Sequence, residues 1–211
     1  PEEYFKENGI VGIKGIDTRA LTQHIRQFGS MYGIISTECG NIDILLDKLK
    51  TGMAKKRALV SEVTVKSPVH KPGPGKTVVI VDFGVKYNII RSLEKRGCNI
   101  YLVPAYSSFE QIMSYNPDGI LLSNGPGDPR DLPEVIPVIQ KLLGKKPILG
   151  ICMGHQLLGL ALGGNIYKLK FGHHGGNHPV KDLTTGKCYI TSQNHNYAVE
   201  QDFSQDVIIT H

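Results

Sequence analysis

Thr77-Val78-Val79-Ile80-Val81 decides how this chain is read. It is a β-branched run without polar alternation, the pattern of a strand covered on both faces, as strands of parallel sheets are. A helical pattern follows through Ile89, Ile90 and Leu93 and stops at Gly97, then comes a strand from Ile100 to Val103 and a helix from Phe109 to Tyr115. The short strand Ile120-Leu121-Leu122, a helix from Val135 to Leu143, a strand from Pro147 to Ile151 and a helix from Gln156 to Leu162 continue the alternation. Strand and helix alternating at this spacing predict βαβ units, and so an α/β domain with a mostly parallel sheet and flanking helices. From Asn165 onward the pattern turns β-rich, in Ile166 to Leu169, Cys188 to Thr191 and Val207 to Ile209.

Toward the N-terminus, Lys66 to Gly75 holds three Pro and two Gly in ten residues, which no helix or central strand tolerates. Residues 67–76 are therefore read as a linker between a smaller, partial α/β N-terminal domain (1–66) and the main domain (77–211). In the smaller domain Asp17 is the expected N-cap of a helix through Leu21, Ile25 and Phe28 that stops at Gly29. Asn41 caps a second helix through Leu45, Leu46 and Leu49, ended by Gly52. With β-prone pieces at Met31 to Ser36 and Leu59 to Val65, a modest core is expected there.

Composition narrows the function classes. The 211 residues are 40% hydrophobic, with 24 Gly and 12 Pro, which excludes a collagen-like or disordered chain. No apolar run approaches the ~20 residues of a membrane span. The net charge of +5 comes from scattered Lys and Arg, with Lys55-Lys56-Arg57 the densest run, so no nucleic-acid face is expected. The four cysteines, Cys39, Cys98, Cys152 and Cys188, lie far apart without a C-x-x-C pair, which points to a reducing compartment rather than a disulfide scaffold. The first residues lack the basic start and apolar core of a signal peptide, and the expected location is the cytoplasm.

The chemistry concentrates in Gly150-Ile151-Cys152-Met153-Gly154-His155-Gln156. The G-x-C-x-G spacing places a cysteine on a sharp strand-to-helix turn, the thiol counterpart of the serine elbow. Flanking glycines relieve the crowding, and the helix beginning there aims its N-terminal dipole at the sulfur, favouring thiolate over thiol. The N–H of Met153 can then face a developing oxyanion. Ser123-Asn124-Gly125-Pro126-Gly127-Asp128-Pro129 follows the preceding strand and can present backbone N–H groups at the same sheet edge. Together the two loops make half of an acyl-transfer site.

These two motifs resemble class I, triad-type glutamine amidotransferases. Phe171-Gly172-His173-His174-Gly175-Gly176-Asn177-His178-Pro179, Ser192-Gln193-Asn194-His195 and Ile16-Asp17-Thr18-Arg19 make the chain similar to the small, glutamine-hydrolysing chains of carbamoyl-phosphate synthases within that family. The resemblance covers essentially the whole sequence. It implies that Cys152 attacks the side-chain amide of L-glutamine and that the N–H groups of Met153 and Gly125 form the oxyanion hole. It further implies that Gly125, Gly127, Met153, Gln156, Asn194, Asn196 and Tyr197 bind the substrate, the last two departing from a Gly-Phe pair common in the family. The expected partner is a carbamoyl-phosphate synthase large chain, which would hold ATP and Mg and convert the ammonia to carbamoyl phosphate for arginine and pyrimidine biosynthesis. No cofactor or metal is expected on this chain.

In that family the histidine base and its carboxylate come from a downstream Gly-His-Pro-Glu motif, which occurs nowhere in the 211 residues. The expectation is a chain that stops before the motif and has little glutaminase activity of its own. His155, His195 and His211 are poor substitutes as bases. A metal site at His173, His174 and His178 is disfavoured because no thiolate or carboxylate stands at ligand spacing. Gly73-Pro74-Gly75-Lys76-Thr77 imitates the end of a P-loop but leads into a strand, so ATP binding there is rejected. Two alternatives stay open: another class I glutaminase, and a non-catalytic assembly subunit.

Overall fold

The computed structural model describes residues 1–37, 40–54, 58–203 and 207–211. Cys39 and the Lys55-Lys56-Arg57 run lie outside the described residues. The chain divides into two compact units, one of Pro1–Arg57 with Lys170–Gly172, the other of Ala58–Leu169 with His173–His211.

The first unit carries α1 (Glu2–Glu7), α2 (Thr18–Phe28) and α3 (Ile42–Ala54). Asp17 caps α2 as expected, its Oδ1 accepting the Ala20 N–H at 2.9 Å, and Gly29 ends the helix with a positive φ. Met31 to Ser36 forms no strand among the described residues. The expected modest core is also not seen: no residue of α2 is buried, and Leu21, Phe28, Ile42 and Ile44 are exposed. An amphipathic stripe makes a core only where another face closes on it.

The second unit begins with α4 (Leu59–Val63), in a stretch whose β-branched residues predicted a strand. Burial of Val60 in the main core overrides that propensity. β1 (Val69–Lys71) lies inside the segment read as a linker and pairs antiparallel with β3 (Asn99–Pro104). Pro68 and Pro72 flank this three-residue strand, and an edge position tolerates them because one side of the strand needs no partner. The other elements follow the expected order: β2 (Thr77–Asp82), α5 (Tyr87–Glu94), α6 (Phe109–Ser114), β4 (Gly119–Leu122), α7 (Ile136–Leu142), β5 (Ile148–Gly150) and α8 (Met153–Ala161).

The sheet runs β1-β3-β2-β4-β5, and all pairs except β1 with β3 are parallel. Alternate residues of each strand feed two cores. Val79, Val81, Ile120 and Leu122 pack with Ile112, Ile139, Leu142 and Leu157 from α6, α7 and α8. Ile80, Ile100, Leu102 and Leu121 pack with Ile90 of α5. The result is a three-layer α/β unit, and the unbroken apolar run of β2 is explained by cover on both faces. The chain steps one way from β2 to β3 and the other way to β4, so a topological switch point lies between the carboxyl ends of β2 and β4.

β6 (Ile166–Lys181) and β7 (Cys188–Val199) form a separate antiparallel pair. Its register shifts between Lys168 and His173 and again between Gly175 and His178. Asp182 closes the turn by accepting from the N–H and hydroxyl of Thr184 at 2.8 and 2.6 Å, and hydrogen bonds from Thr184 and Thr185 hold its carboxyl far below the usual range. Residues 207–211 carry no strand, contrary to the apolar pattern of Val207 to Ile209.

Candidate active site

Cys152 sits between β5 and α8 with φ 52° and ψ −107°, a backbone region that side-chain-bearing residues seldom occupy. The two flanking glycines are sterically required. A Cβ on Gly154 would stand 2.1 Å from the Leu122 carbonyl oxygen, and one on Gly150 would stand 2.6 Å from the His155 nitrogen. The closeness lets Gly154 N–H donate to Ser123 O at 2.9 Å, which binds the elbow to the end of β4. The half-buried thiol points at the Asn194 carbonyl, 3.9 Å away on β7.

The donor loop is equally fixed. A Cβ on Gly125 would meet the Phe83 carbonyl oxygen at 2.5 Å, so only glycine lets the loop lie against the end of β2. The Asn124 carboxamide spans the switch point, its Nδ2 donating to Gly84 O at 2.9 Å and its Oδ1 accepting from Lys86 N at 3.1 Å. Beneath it, Ser123 Oγ accepts from Phe83 N at 2.9 Å. The buried Asp82 carboxylate organises the neighbouring turn by accepting the N–H groups of Val65, Gly84 and Val85 at 2.8, 2.9 and 2.8 Å. Among the described residues neither Gly125 N–H nor Met153 N–H has an internal hydrogen-bond partner.

A cavity of about 570 Å³ opens over these loops, large enough for a small metabolite. Of the residues expected in the site, Cys152, Gly125 and Asn194 line it. Gly127, Met153, Gln156, Asn196 and Tyr197 do not. Gly127 is exposed with φ +93°, and the Met153 side chain is buried in the core. Gln156 is buried and spends its Nε2 on Tyr197 O at 2.8 Å. Asn196 Oδ1 faces His174 Nε2 at 3.1 Å, and the same ring meets Asn194 Oδ1 through Nδ1 at 2.8 Å. Gly84, Lys86, Ile89, Ser192 and Gln193 also line the cavity, although the sequence reading gives none of them a binding role. Position just after the strand Thr77 to Val81 is the signal that could have found Gly84 and Lys86.

The histidines are engaged elsewhere. His195 meets Tyr197 O through Nδ1 at 2.8 Å and Gln193 Oε1 through Nε2 at 3.0 Å. His173 shares that Gln193 oxygen at 2.9 Å and stacks on His178. Partial desolvation by its surroundings, and secondarily the neighbouring His195, hold the His155 imidazole below its ordinary pKa although the residue is exposed. His211 reaches Thr210 Oγ1 at 2.9 Å. Among the described residues no imidazole is hydrogen-bonded to Cys152, and no group of three or more His, Cys, Asp or Glu is placed to hold a metal ion. No helix of the described residues is long and apolar enough to cross a membrane.

Comparison with known proteins adds independent findings. Residues 79–211 match the family model Glutamine amidotransferase class-I, and residues 2–35 match the model Carbamoyl-phosphate synthase small chain, CPSase domain. The chain is 49% identical over 211 residues to the carbamoyl phosphate synthase small chain of Bacillus cereus, with 99% of this chain and 57% of that one covered. It is 50% identical over 207 residues to the small chain of Bacillus caldolyticus, with 95% and 55% covered. With the small chain of Listeria monocytogenes it shares 49% over 212 residues, with 100% and 58% covered. The chain thus spans little more than half the length of these curated relatives. Its fold is similar to that of a candidate GMP synthase component from Thermoplasma acidophilum, a crystal structure matched with TM-score 0.51, 23% identity, and 60% of this chain and 67% of that one covered.

Proposed function

The chain belongs to the class-I glutamine amidotransferase family, and from that premise we propose that it is the glutamine-hydrolysing part of a carbamoyl-phosphate synthase small chain. The observation that carries the reading is Cys152 on its strained elbow, opening onto a cavity whose facing loop offers the free N–H of Gly125. Cys152 Sγ attacks the side-chain amide carbon of glutamine. The oxyanion that forms is received by the N–H groups of Met153 and Gly125, and collapse expels ammonia and leaves a glutamyl thioester. Water then hydrolyses the thioester to glutamate and restores the thiol. Asn194 and the cationic Lys86 in the cavity wall suit a zwitterionic amino acid. Backbone groups of Gly127, Asn196 and Tyr197, with Gln156, complete the proposed substrate shell.

The thiol proton needs an acceptor, and among the described residues the Cys152 thiol contacts a carbonyl and no imidazole. Residues 1–211 alone are therefore proposed to accept a glutamine-like electrophile while turning glutamine over slowly. Ammonia is proposed to pass to a large chain, where ATP, Mg²⁺ and bicarbonate yield carbamoyl phosphate. The widely spaced free thiols Cys98, Cys152 and Cys188 suit a cytoplasmic setting.

The test is alkylation by 6-diazo-5-oxo-L-norleucine with the modified residue identified by mass spectrometry. Selective labelling of Cys152 that glutamine suppresses is expected. Equal labelling of Cys98, Cys152 and Cys188, indifferent to glutamine, overturns the reading and favours a non-catalytic assembly role.

A further inference from the structure

The Gly125 N–H and the Asn124 carbonyl belong to one peptide unit. Every described peptide bond is trans, so the two groups point in opposite directions across a rigid plane, and whatever holds the carbonyl aims the N–H. The carbonyl is held by the Ser123 hydroxyl, 2.8 Å away. That hydroxyl has one proton. Its other contact, Phe83 N at 2.9 Å, can only donate, so the proton goes to Asn124 O. Ser123 is fully buried, which keeps water from competing for either bond. The Asn124 side chain grips the same loop. Lys86 N can only donate and Gly84 O can only accept, which sets the carboxamide with Oδ1 toward Lys86 at 3.1 Å and Nδ2 toward Gly84 at 2.9 Å. The backbones are also in close approach, since a Cβ on Gly84 would meet Pro126 Cδ at 3.2 Å and one on Gly125 would meet Phe83 O at 2.5 Å. Side-chain bonds from Ser123 and Asn124 thus tie the end of β4 to the turn after β2. Gly125 N–H is left without an internal partner beside the cavity that Asn124 and Gly125 line.

We propose that Ser123 is a positioning residue for the oxyanion donor: its hydroxyl latches the Asn124–Gly125 peptide with the Gly125 N–H free, and the Asn124 carboxamide keeps the latched peptide against the turn after β2. This rests on the glutamine-site reading above and deepens it. Without the hydroxyl, Asn124 O loses its donor and Phe83 N its acceptor, and the peptide plane is released to rotate. A rotated plane puts a carbonyl dipole where the N–H stood, which opposes developing negative charge instead of receiving it. Ser123 is not in the cavity wall, so its removal leaves the Cys152, Gln193 and Asn194 side chains there in place. The latch therefore acts on the reaction at the carbonyl carbon and not on the binding that precedes it.

The experiment follows alkylation of Cys152 in the 211-residue chain by L-2-amino-4-oxo-5-chloropentanoate, a glutamine-like chloromethyl ketone, at increasing concentration. Cys152 Sγ adds to the ketone carbon and negative charge gathers on its oxygen. Sulfur then displaces chloride from the adjacent methylene, the carbonyl re-forms, and the thiol proton leaves with the chloride. In Ser123→Ala the saturating rate is expected to fall about tenfold, the effect of one lost hydrogen bond on the share of chains with the N–H aligned. Removing an oxyanion donor outright, at about 10²–10³, sets the ceiling. The half-saturating concentration should stay within about twofold, because an interaction made only as charge develops does not bind the ground state. Iodoacetamide, whose reaction needs no oxyanion, should alkylate Ser123→Ala and the parent at similar rates. Asn124→Ala keeps the Ser123 hydroxyl but frees the loop from the turn after β2, and should lower the saturating rate in the same way. If Ser123→Ala does not fold, Asn124→Ala takes its place and the same outcomes decide. A saturating rate that Ser123→Ala leaves unchanged, a loss that appears in the half-saturating concentration instead, or an equal slowing with iodoacetamide overturns the latch and leaves the glutamine site intact. Alkylation that does not saturate in the unsubstituted chain overturns both.

Discussion

The backbone at Cys152 makes a prediction in which an ordinary preference changes sign. Glycine in place of alanine normally destabilises by about 0.5–1 kcal/mol, because glycine has more freedom to lose on folding. Residue 152 is held at φ 52° and ψ −107°, where a side-chain-bearing residue carries about 1–3 kcal/mol of strain. Comparing Cys152→Gly with Cys152→Ala removes the thiol and its 3.9 Å approach to Asn194 O from both proteins, leaving the Cβ as the difference. Subtracting the entropy from the strain at the middle of each range, the glycine variant should be the more stable by about 1 kcal/mol. With a urea dependence of about 2 kcal/mol per molar, the midpoints followed by far-UV circular dichroism should differ by about 0.5 M. Ala161→Gly at the end of α8 supplies the contrast. That residue is buried in helical backbone, and its substitution should lower the midpoint. An alanine variant at 152 equal to or more stable than the glycine variant, at unchanged slope, would refute the claim that the elbow is strained in the folded chain.

Gly154→Ala must drive the start of α8 away from Leu122 O and break the 2.9 Å bond to Ser123 O, for a loss of about 2–4 kcal/mol in urea unfolding, whereas Gly119→Ala, whose Cβ meets nothing closer than 3.8 Å, should unfold near the parent midpoint. Asp82→Ala leaves the N–H groups of Val65, Gly84 and Val85 without their acceptor; a loss of about 2–4 kcal/mol is expected, with faster hydrogen exchange at those three amides as the specific readout. His155 gives a pH signature: its folded-state pKa lies below the unfolded value, so its contribution is present above the ordinary histidine range and lost as pH falls through it. Thermal midpoints should fall between pH 7.5 and 5.5, and His155→Asn should flatten that slope; an unchanged slope contradicts the assignment.

What was legible in the sequence was local. The elbow announces itself because two glycines, a cysteine and a helix start fall within five residues after a strand, and each constrains the others sterically. The alternation of strands and helices likewise follows from two-sided burial. The wall at Gly84 and Lys86 stayed hidden because its importance depends on β2 lying at the centre of the sheet, beside β4, and strand order is not written in any one segment. β1 was missed because the Pro residues that forbid a central strand are harmless at an edge. α4 was misread because packing of Val60 outweighs the propensity of its neighbours. For Gln156 and Tyr197 the family resemblance implies a substrate role, whereas in the structure Gln156 Nε2 is bonded to Tyr197 O, a pairing set by how the long β6–β7 pair and its two register shifts lie against α8.

The two walls of the cavity are held by different means, and this bears on what each can do. The Cys152 elbow and the Gly125 loop are fastened to β2 and β4 by buried contacts such as Gly154 N to Ser123 O and Phe83 N to Ser123 Oγ, at 2.9 Å each. Those contacts fix the thiol and the N–H groups proposed as oxyanion donors to the sheet, and in the proposed reaction a displacement of about 1 Å would lose much of the rate. The β7 wall hangs on side chains instead: Gln156 to Tyr197 O, His174 to Asn194 and Asn196, and the Tyr197 ring against Arg130. Asn194 and Asn196 are exposed, and each of these links can be broken singly without opening the sheet. In the proposed site a wall held this way would adjust to substrate and set affinity while the reacting atoms stay in place. Substitution at Asn196 or Tyr197 is therefore expected to leave the fold of the sheet intact, whereas the glycines of the elbow, walled in by backbone, leave no room for change.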